Sequence, residues 1–184
     1  SRLKFNLPKV ILPINGKTLL QRSLYSLGKL SPSKTIIVAG FKKELVINLS
    51  KTLNYKNLNF VVQKEQLGTG DAVKKAASSL DNKSIALIMN GDTPFVDEGT
   101  INQALSQYRK TKSVFTIATT KPSSPFGYGR ILRDNDGQIL DIVEEKDCNN
   151  EQKLIKEVNA GLYLIATDFL KKFVKKIKKN KNSE

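Results

Sequence analysis

Gln63-Lys-Glu-Gln-Leu-Gly-Thr-Gly-Asp71 places two glycines around a threonine where an extended run gives way to a helical one. Glycine lets backbone N–H groups approach a ligand closely, and a helix N-terminus favours negative charge. The segment therefore suits the base, ribose or phosphate of a nucleotide. Gln63 carries donor and acceptor on one amide and can match the imide edge of a uracil. Met89-Asn-Gly-Asp-Thr-Pro94 is a second candidate. Its Asp92 follows an apolar run and would point a hard carboxylate into a crevice, as a magnesium ion carrying phosphates requires. Arg2 and Lys9 supply positive charge near the start, with Lys9 expected in an extended segment after Pro8. Glu144, in Glu144-Glu-Lys-Asp147, could accept from sugar hydroxyls. Asn159 is an asparagine in what is otherwise a strand, which invites a ligand contact. Each feature also has a plainer reading: a helix cap at Thr69 or Asp71, a turn at Asp92, a solvated lysine, a flexible Gly127-Tyr-Gly-Arg130 turn.

These residues need elements to hold them. Thr35-Ile-Ile-Val-Ala-Gly40 and Leu58 to Gln63 read as strands, and Ser84 to Asn90 reads as a strand buried on both faces. Apolar residues at helical spacing mark helices over 19–30, 42–53, 70–80 and 97–110, and Val114 to Thr120 is again a strand. The alternation predicts an α/β domain with a parallel sheet wound by right-handed crossovers. Ligands of such sheets sit at the carboxyl ends of the strands, where the two loops above fall. From about Lys121 the strands are closely spaced: 129–134, 139–144 and 157–166, around an Asp-Asn-Asp-Gly turn. That predicts a small antiparallel part. The final stretch, 168–179, is an amphipathic helix expected to dock on the sheet with its lysines in solvent.

With 184 residues the chain suits a single domain. It has no histidine, which excludes His-based acid–base chemistry, Ser-His-Asp triads and His-ligated metals, and its lone Cys148 excludes disulfide frameworks and cysteine zinc sites. One free cysteine fits a reducing, cytoplasmic setting. No stretch reaches the roughly 20 apolar residues of a membrane span, and no charged-then-apolar leader is visible. The sole methionine, Met89, is internal, so Ser1 is expected to be a cut end. Net charge is +14, and seven lysines between Lys171 and Lys181 supply half of it. Lysine far outnumbers arginine, and aromatic and basic residues do not alternate, so compositional bias is read before nucleic-acid binding.

Taken in order, Leu7-Pro-Lys-Val, Gln63-x-Glu-Gln-Leu-Gly-Thr-Gly, Asn90-Gly-Asp-x-Pro, Gly127-Tyr-Gly-Arg-Ile, Ile142-Val-Glu-x-Lys-Asp and Glu157-Val-Asn-x-Gly form one pattern. It resembles the N-acetylglucosamine-1-phosphate uridyltransferase domain of the bifunctional bacterial GlmU proteins over nearly the whole chain. The Val-Glu-x-Lys-Asp and Glu-Val-Asn-x-Gly elements are specific to that branch. The Leu-Pro-Lys and Gly-Asp elements are shared among sugar-nucleotide transferases.

The resemblance implies a doubly wound α/β domain with a mostly parallel, Rossmann-like sheet, and a magnesium-dependent enzyme joining UTP to N-acetylglucosamine 1-phosphate, giving UDP-N-acetylglucosamine and pyrophosphate for cell-wall precursors. It casts Arg2 and Lys9 as catalytic phosphate-binding cations. Gln63, Gly68, Thr69, Asn90, Gly91 and Asp92 become nucleotide-binding residues, with Asp92 the metal ligand. Gly129, Glu144 and Asn159 become sugar-binding. It also implies a glycine-rich loop and first strand before Ser1, a further metal-sharing asparagine after Glu184, and a trimerising β-helix acetyltransferase domain beyond that. On these grounds the 184 residues alone are expected to be poorly stable and inactive, a partial domain. Asp71 stands where many relatives have histidine, and Ala160 where many have threonine. The alternatives are a glucose-1-phosphate uridylyl- or thymidylyltransferase and a non-catalytic basic module.

Overall fold

The computed structural model describes residues 6–65 and 67–177. Arg2 lies outside them. After a 3-10 turn at Lys9–Ile11, strands β1 (Pro13–Ile14) and β2 (Lys17–Thr18) form a small antiparallel hairpin. Its turn is Asn15-Gly16, both at positive φ, the pairing that a two-residue hairpin turn demands. Thr18 then caps α1 (Leu19–Gly28): its hydroxyl accepts from the Gln21 N–H at 3.2 Å, and the Gln21 side chain accepts from the Thr18 N–H at 2.7 Å.

Next come β3 (Thr35–Ala39), α2 (Lys43–Lys51) and β4 (Leu58–Val62), with β3 and β4 paired in parallel. Their core is Leu20, Leu24, Ile37, Ala39 and Val46. α3 (Thr69–Ala76) leads through a 3-10 turn to β5 (Ile85–Met89), and α4 (Glu98–Thr111) follows, with the Asp97 carboxylate accepting from the Thr100 N–H at 2.8 Å.

The second half contains β6 (Phe115–Thr120), β7 (Arg130–Arg133), β8 (Ile139–Val143), the one-turn α5 (Asn150–Lys153), β9 (Val158–Ala166) and α6 (Thr167–Phe173). All pairings here are antiparallel: β5, β6 and β7 pair with β9, and β7 and β8 form a hairpin. β6 takes one edge of β9 along most of its length. The other edge is divided: β5 pairs with residues 162–166, and β7 meets it at Val158. Between those two partners lies Asn159-Ala160-Gly161, with Gly161 at φ +73°. The strand edge therefore forks, and a cleft opens at the fork.

The α/β architecture is the one the alternation predicts, and the antiparallel part is larger than expected because β5 pairs with β9. Among the described residues no strand pairing joins β3 to β5. One correction concerns β5, which packs with the closing helix through Ala86 and Ile88. The run 84–90 is not buried on both faces; Ala86 is buried, Ile85 is exposed, and Leu87 to Met89 are half-buried. The closing helix docks as expected, Leu170 and Val174 packing with Ala77, Ala86 and Ile165. It breaks into a 3-10 turn at Val174–Lys176. Its Lys171 ammonium donates to the Leu80 carbonyl at 2.5 Å and the Asn82 side chain at 2.6 Å. No helix among the described residues is long and apolar enough to cross a membrane.

Candidate functional site

Ion-pair geometry defines the first wall of the cleft. β5 ends in the turn Asn90–Thr93, closed by the Thr93 hydroxyl donating to the Asn90 carbonyl at 2.6 Å. Gly91 presses on the preceding segment so closely that an added Cβ would lie 3.2 Å from Val10 Cγ1, and the Ser23 hydroxyl donates to its carbonyl at 3.4 Å. Seating Gly91 on Val10 brings the next residue, Asp92, against the residue before Val10. The Lys9 ammonium meets the Asp92 carboxylate at 2.7 Å. Lys9 is not extended as expected. It opens a 3-10 turn closed by the Ile11 N–H on the Pro8 carbonyl, because proline restrains the residue before it and not the one after.

The second wall is the loop after β4. The Gln63 amide donates to the Gly68 carbonyl at 3.2 Å and to the Asp71 carboxylate at 2.9 Å. Its donors thus brace the loop, and Gln63 is not among the cleft-lining residues. Gly68, at φ +90°, caps α3, while Thr69 and Asp71 lie in its first turn and neither caps it.

The third wall comes from the antiparallel half. An added Cβ on Gly129 would meet Ile142 Cγ2 at 3.0 Å and the Glu144 carboxylate at 3.3 Å, so Glu144 rests on a bare backbone. The Gly129 carbonyl accepts from the Asn159 N–H at 2.9 Å, tying this wall to β9. Asn159 donates through its side-chain amide to the Tyr163 hydroxyl at 2.6 Å and accepts from the Gly161 N–H at 2.9 Å. Behind the wall is Arg130, only 2% exposed, ion-paired with Glu145 at 2.6 Å and donating also to the Tyr128 carbonyl. The Glu145 carboxylate additionally accepts from the Gly127 N–H at 2.9 Å. That backbone bond, then the Arg130 bond, holds the Glu145 carboxyl below its ordinary value.

Together the walls enclose about 1100 Å³. Of the residues singled out in the sequence, the cleft brings together Lys9, Gly68, Thr69, Asn90, Asp92, Gly129, Glu144 and Asn159. Gln63 and Gly91 stand behind it, as a brace and a packing contact. Arg130, Glu145 and Tyr163 were missed. Opposite charges directly following two candidate residues, Gly129 and Glu144, were the available signal, obscured by reading 127–130 as a flexible turn. Lys9, Lys74 and Lys146 line the cleft together with Asp71, Asp92, Glu144 and Glu145, so anionic ligands meet cations and hydroxyl-rich ligands meet carboxylates.

The model for the family described as nucleotidyl transferase matches residues 3–184. A protein of Acanthamoeba polyphaga mimivirus, named as a probable UDP-N-acetylglucosamine pyrophosphorylase, is 38% identical over 185 residues, covering all of this chain and 72% of its own. The bifunctional GlmU proteins of Dechloromonas aromatica and Streptococcus mutans are 40% and 38% identical, and this chain spans 39% of each. In three dimensions the chain resembles HddC from Yersinia pseudotuberculosis, with TM-score 0.73 and 22% identity over 92% of this chain and 72% of that one. It also resembles a UDP-glucose pyrophosphorylase, with TM-score 0.74 and 20% identity over 97% and 75%. The structural likenesses speak for the fold.

Proposed function

The chain belongs to the nucleotidyl transferase family, and from that premise we propose that it forms the substrate cleft of an N-acetylglucosamine-1-phosphate uridylyltransferase, making UDP-N-acetylglucosamine from UTP. The observation that carries this reading is the single cleft in which the Lys9–Asp92 pair faces the Gly129, Glu144 and Asn159 wall. The relatives of about 38% identity favour the amino sugar over glucose.

The attacking oxygen of a sugar phosphate is already anionic, so no general base is needed, and the lack of histidine is no obstacle. The barrier lies in bringing two polyanions together and in stabilising charge at the α-phosphate during in-line displacement. Lys9 would leave Asp92 for a phosphate oxygen. Gly68 and Thr69 would cradle the nucleotide at the start of α3, braced by Gln63. Glu144 and Asn159 would orient the sugar.

Among the described residues there is no cluster of three or more acidic or cysteine side chains able to cage a metal. A lone carboxylate beside a phosphate site fits magnesium, which keeps waters and binds through one or two carboxylates plus substrate phosphates. Asp92 would hold it, and the ion would supply neutralisation of phosphate charge when bound. The free, buried Cys148 agrees with a reducing, cytoplasmic setting.

Calorimetric titration with UDP-N-acetylglucosamine, UDP-glucose and dTDP-glucose tests the reading. It expects UDP-N-acetylglucosamine to bind at least about tenfold more tightly than either, a gap of about 1.4 kcal/mol. A preference for a glucose nucleotide would transfer the chain to the glucose-1-phosphate branch.

A further inference from the structure

We propose that Arg130 and Glu145 are positioning residues for the sugar half of the cleft, locking the 127–129 loop to the 144–147 turn so that Glu144 and the Gly129 backbone keep their places. The inference rests on the reading of that wall as the amino-sugar side.

The two segments are far apart in sequence and both line the cleft. Glu145 follows Glu144 directly, and Arg130 follows Gly129. One Glu145 carboxylate oxygen receives the Gly127 N–H at 2.9 Å and the Arg130 guanidinium at 2.6 Å. The same guanidinium reaches the Tyr128 carbonyl. Three consecutive loop residues, 127 to 129, are thereby fixed: the first two by these bonds, the third by the Asn159 N–H on its carbonyl. Gly127 sits at φ +85°, so the loop has a shape that few residues would hold unaided.

Stability alone does not explain the pair. A buried ion pair is often replaceable by apolar groups of equal volume at no cost, and the Arg130 Nε–H finds no partner among the described residues. What the pair does supply is a defined distance between two segments of one cleft wall. A second arginine–glutamate fork provides the contrast. Arg133 grips Glu157 through two bonds of 2.9 and 2.6 Å, yet neither residue lines the cleft.

The experiment compares affinities for UDP-N-acetylglucosamine and for UDP, by calorimetry, in the unaltered chain and in Arg130→Met, Glu145→Gln and Arg133→Met, with thermal melting of each. In the unaltered chain the sugar is expected to raise affinity about tenfold or more. In Arg130→Met and Glu145→Gln that ratio should fall close to one while UDP binds as before. Arg133→Met should melt earlier yet keep the ratio. Arg130→Met fills the buried site with an apolar chain and leaves Glu145 facing the cleft, so it carries the test should Glu145→Gln fail to fold. A retained ratio in folded Arg130→Met, or an equal loss for UDP and the sugar nucleotide, would overturn the positioning role. No sugar preference in the unaltered chain would instead remove the amino-sugar reading itself and this inference with it.

Discussion

β3 and β4 run parallel and rest on α1 and α2 through Leu20, Leu24, Ile37, Ala39 and Val46, whereas every pairing of the second half is antiparallel, with β5, β6 and β7 on β9 and β8 on β7. The difference extends to how each half places its share of the cleft. In the first half a loop is set by close apolar packing: Gly91 against Val10 delivers Asp92 to Lys9. In the second half the loops are set by charged and backbone hydrogen bonds, Arg130 and Glu145 above all. Packing fixes where a turn sits, while directional bonds fix which way it faces.

The comparison can be broken most forcefully in the cores. Leu164, 1% exposed on β9, when replaced by alanine should cost about 2–5 kcal/mol in denaturant unfolding. Leu24→Ala should cost a similar amount but release mainly the amides of β3 and β4 to hydrogen exchange, since among the described residues that sheet has no strand pairing to β9. Uniform exchange across both sheets would mean that the halves fold as one unit.

Next in size is the seam. Asp92→Asn should weaken Mn²⁺ binding to the nucleotide-loaded chain by at least about 100-fold, read by electron paramagnetic resonance, with the melting curve unchanged. Undiminished ion binding would remove Asp92 from the metal site.

Acid sharpens the contrast within the second half. The Arg133 fork lowers the Glu157 carboxyl from its ordinary 4.5 to about 2. A depressed carboxylate contributes its stability in full above the unfolded value and loses it as pH falls from about 4.5 towards 2. With solvent screening the contribution is about 1–2 kcal/mol. Glu157→Gln should therefore be less stable than the unaltered chain at pH 6 and nearly equal to it close to pH 2, by chemical denaturation. The smallest effect is expected at the brace: Gln63→Ala loosens the loop before α3 and should weaken uridine nucleotide binding about two- to tenfold, the worth of one hydrogen bond.

Most of the architecture was legible because the apolar periodicities of 19–30, 35–40, 58–63 and 97–110 are strong and local. Strand direction around β9 was not, because nothing in Ser84 to Asn90 says that its neighbour is a strand more than 70 residues later running the other way. The site was legible where a residue type is unusual for its place, as with Asn159 in a strand or Asp92 after one. It was not legible where the arrangement lies in a pair: Arg130 and Glu145 are each ordinary, and only the β7–β8 hairpin between them makes them partners. Gln63, whose type suggests a match to a uracil edge, donates to its own loop here, a bond pattern that only the folded loop discloses.

The forked edge of β9 has a consequence for size selection. Val158 is held by β7 and Leu162 by β5, with the bulged Asn159-Ala160-Gly161 stretch between them. The aperture is therefore counted out in strand register, with β5 and β7 as its jambs. Substituting a lining side chain changes what the opening greets, but admitting a wider molecule would require one of the two strands to stop earlier.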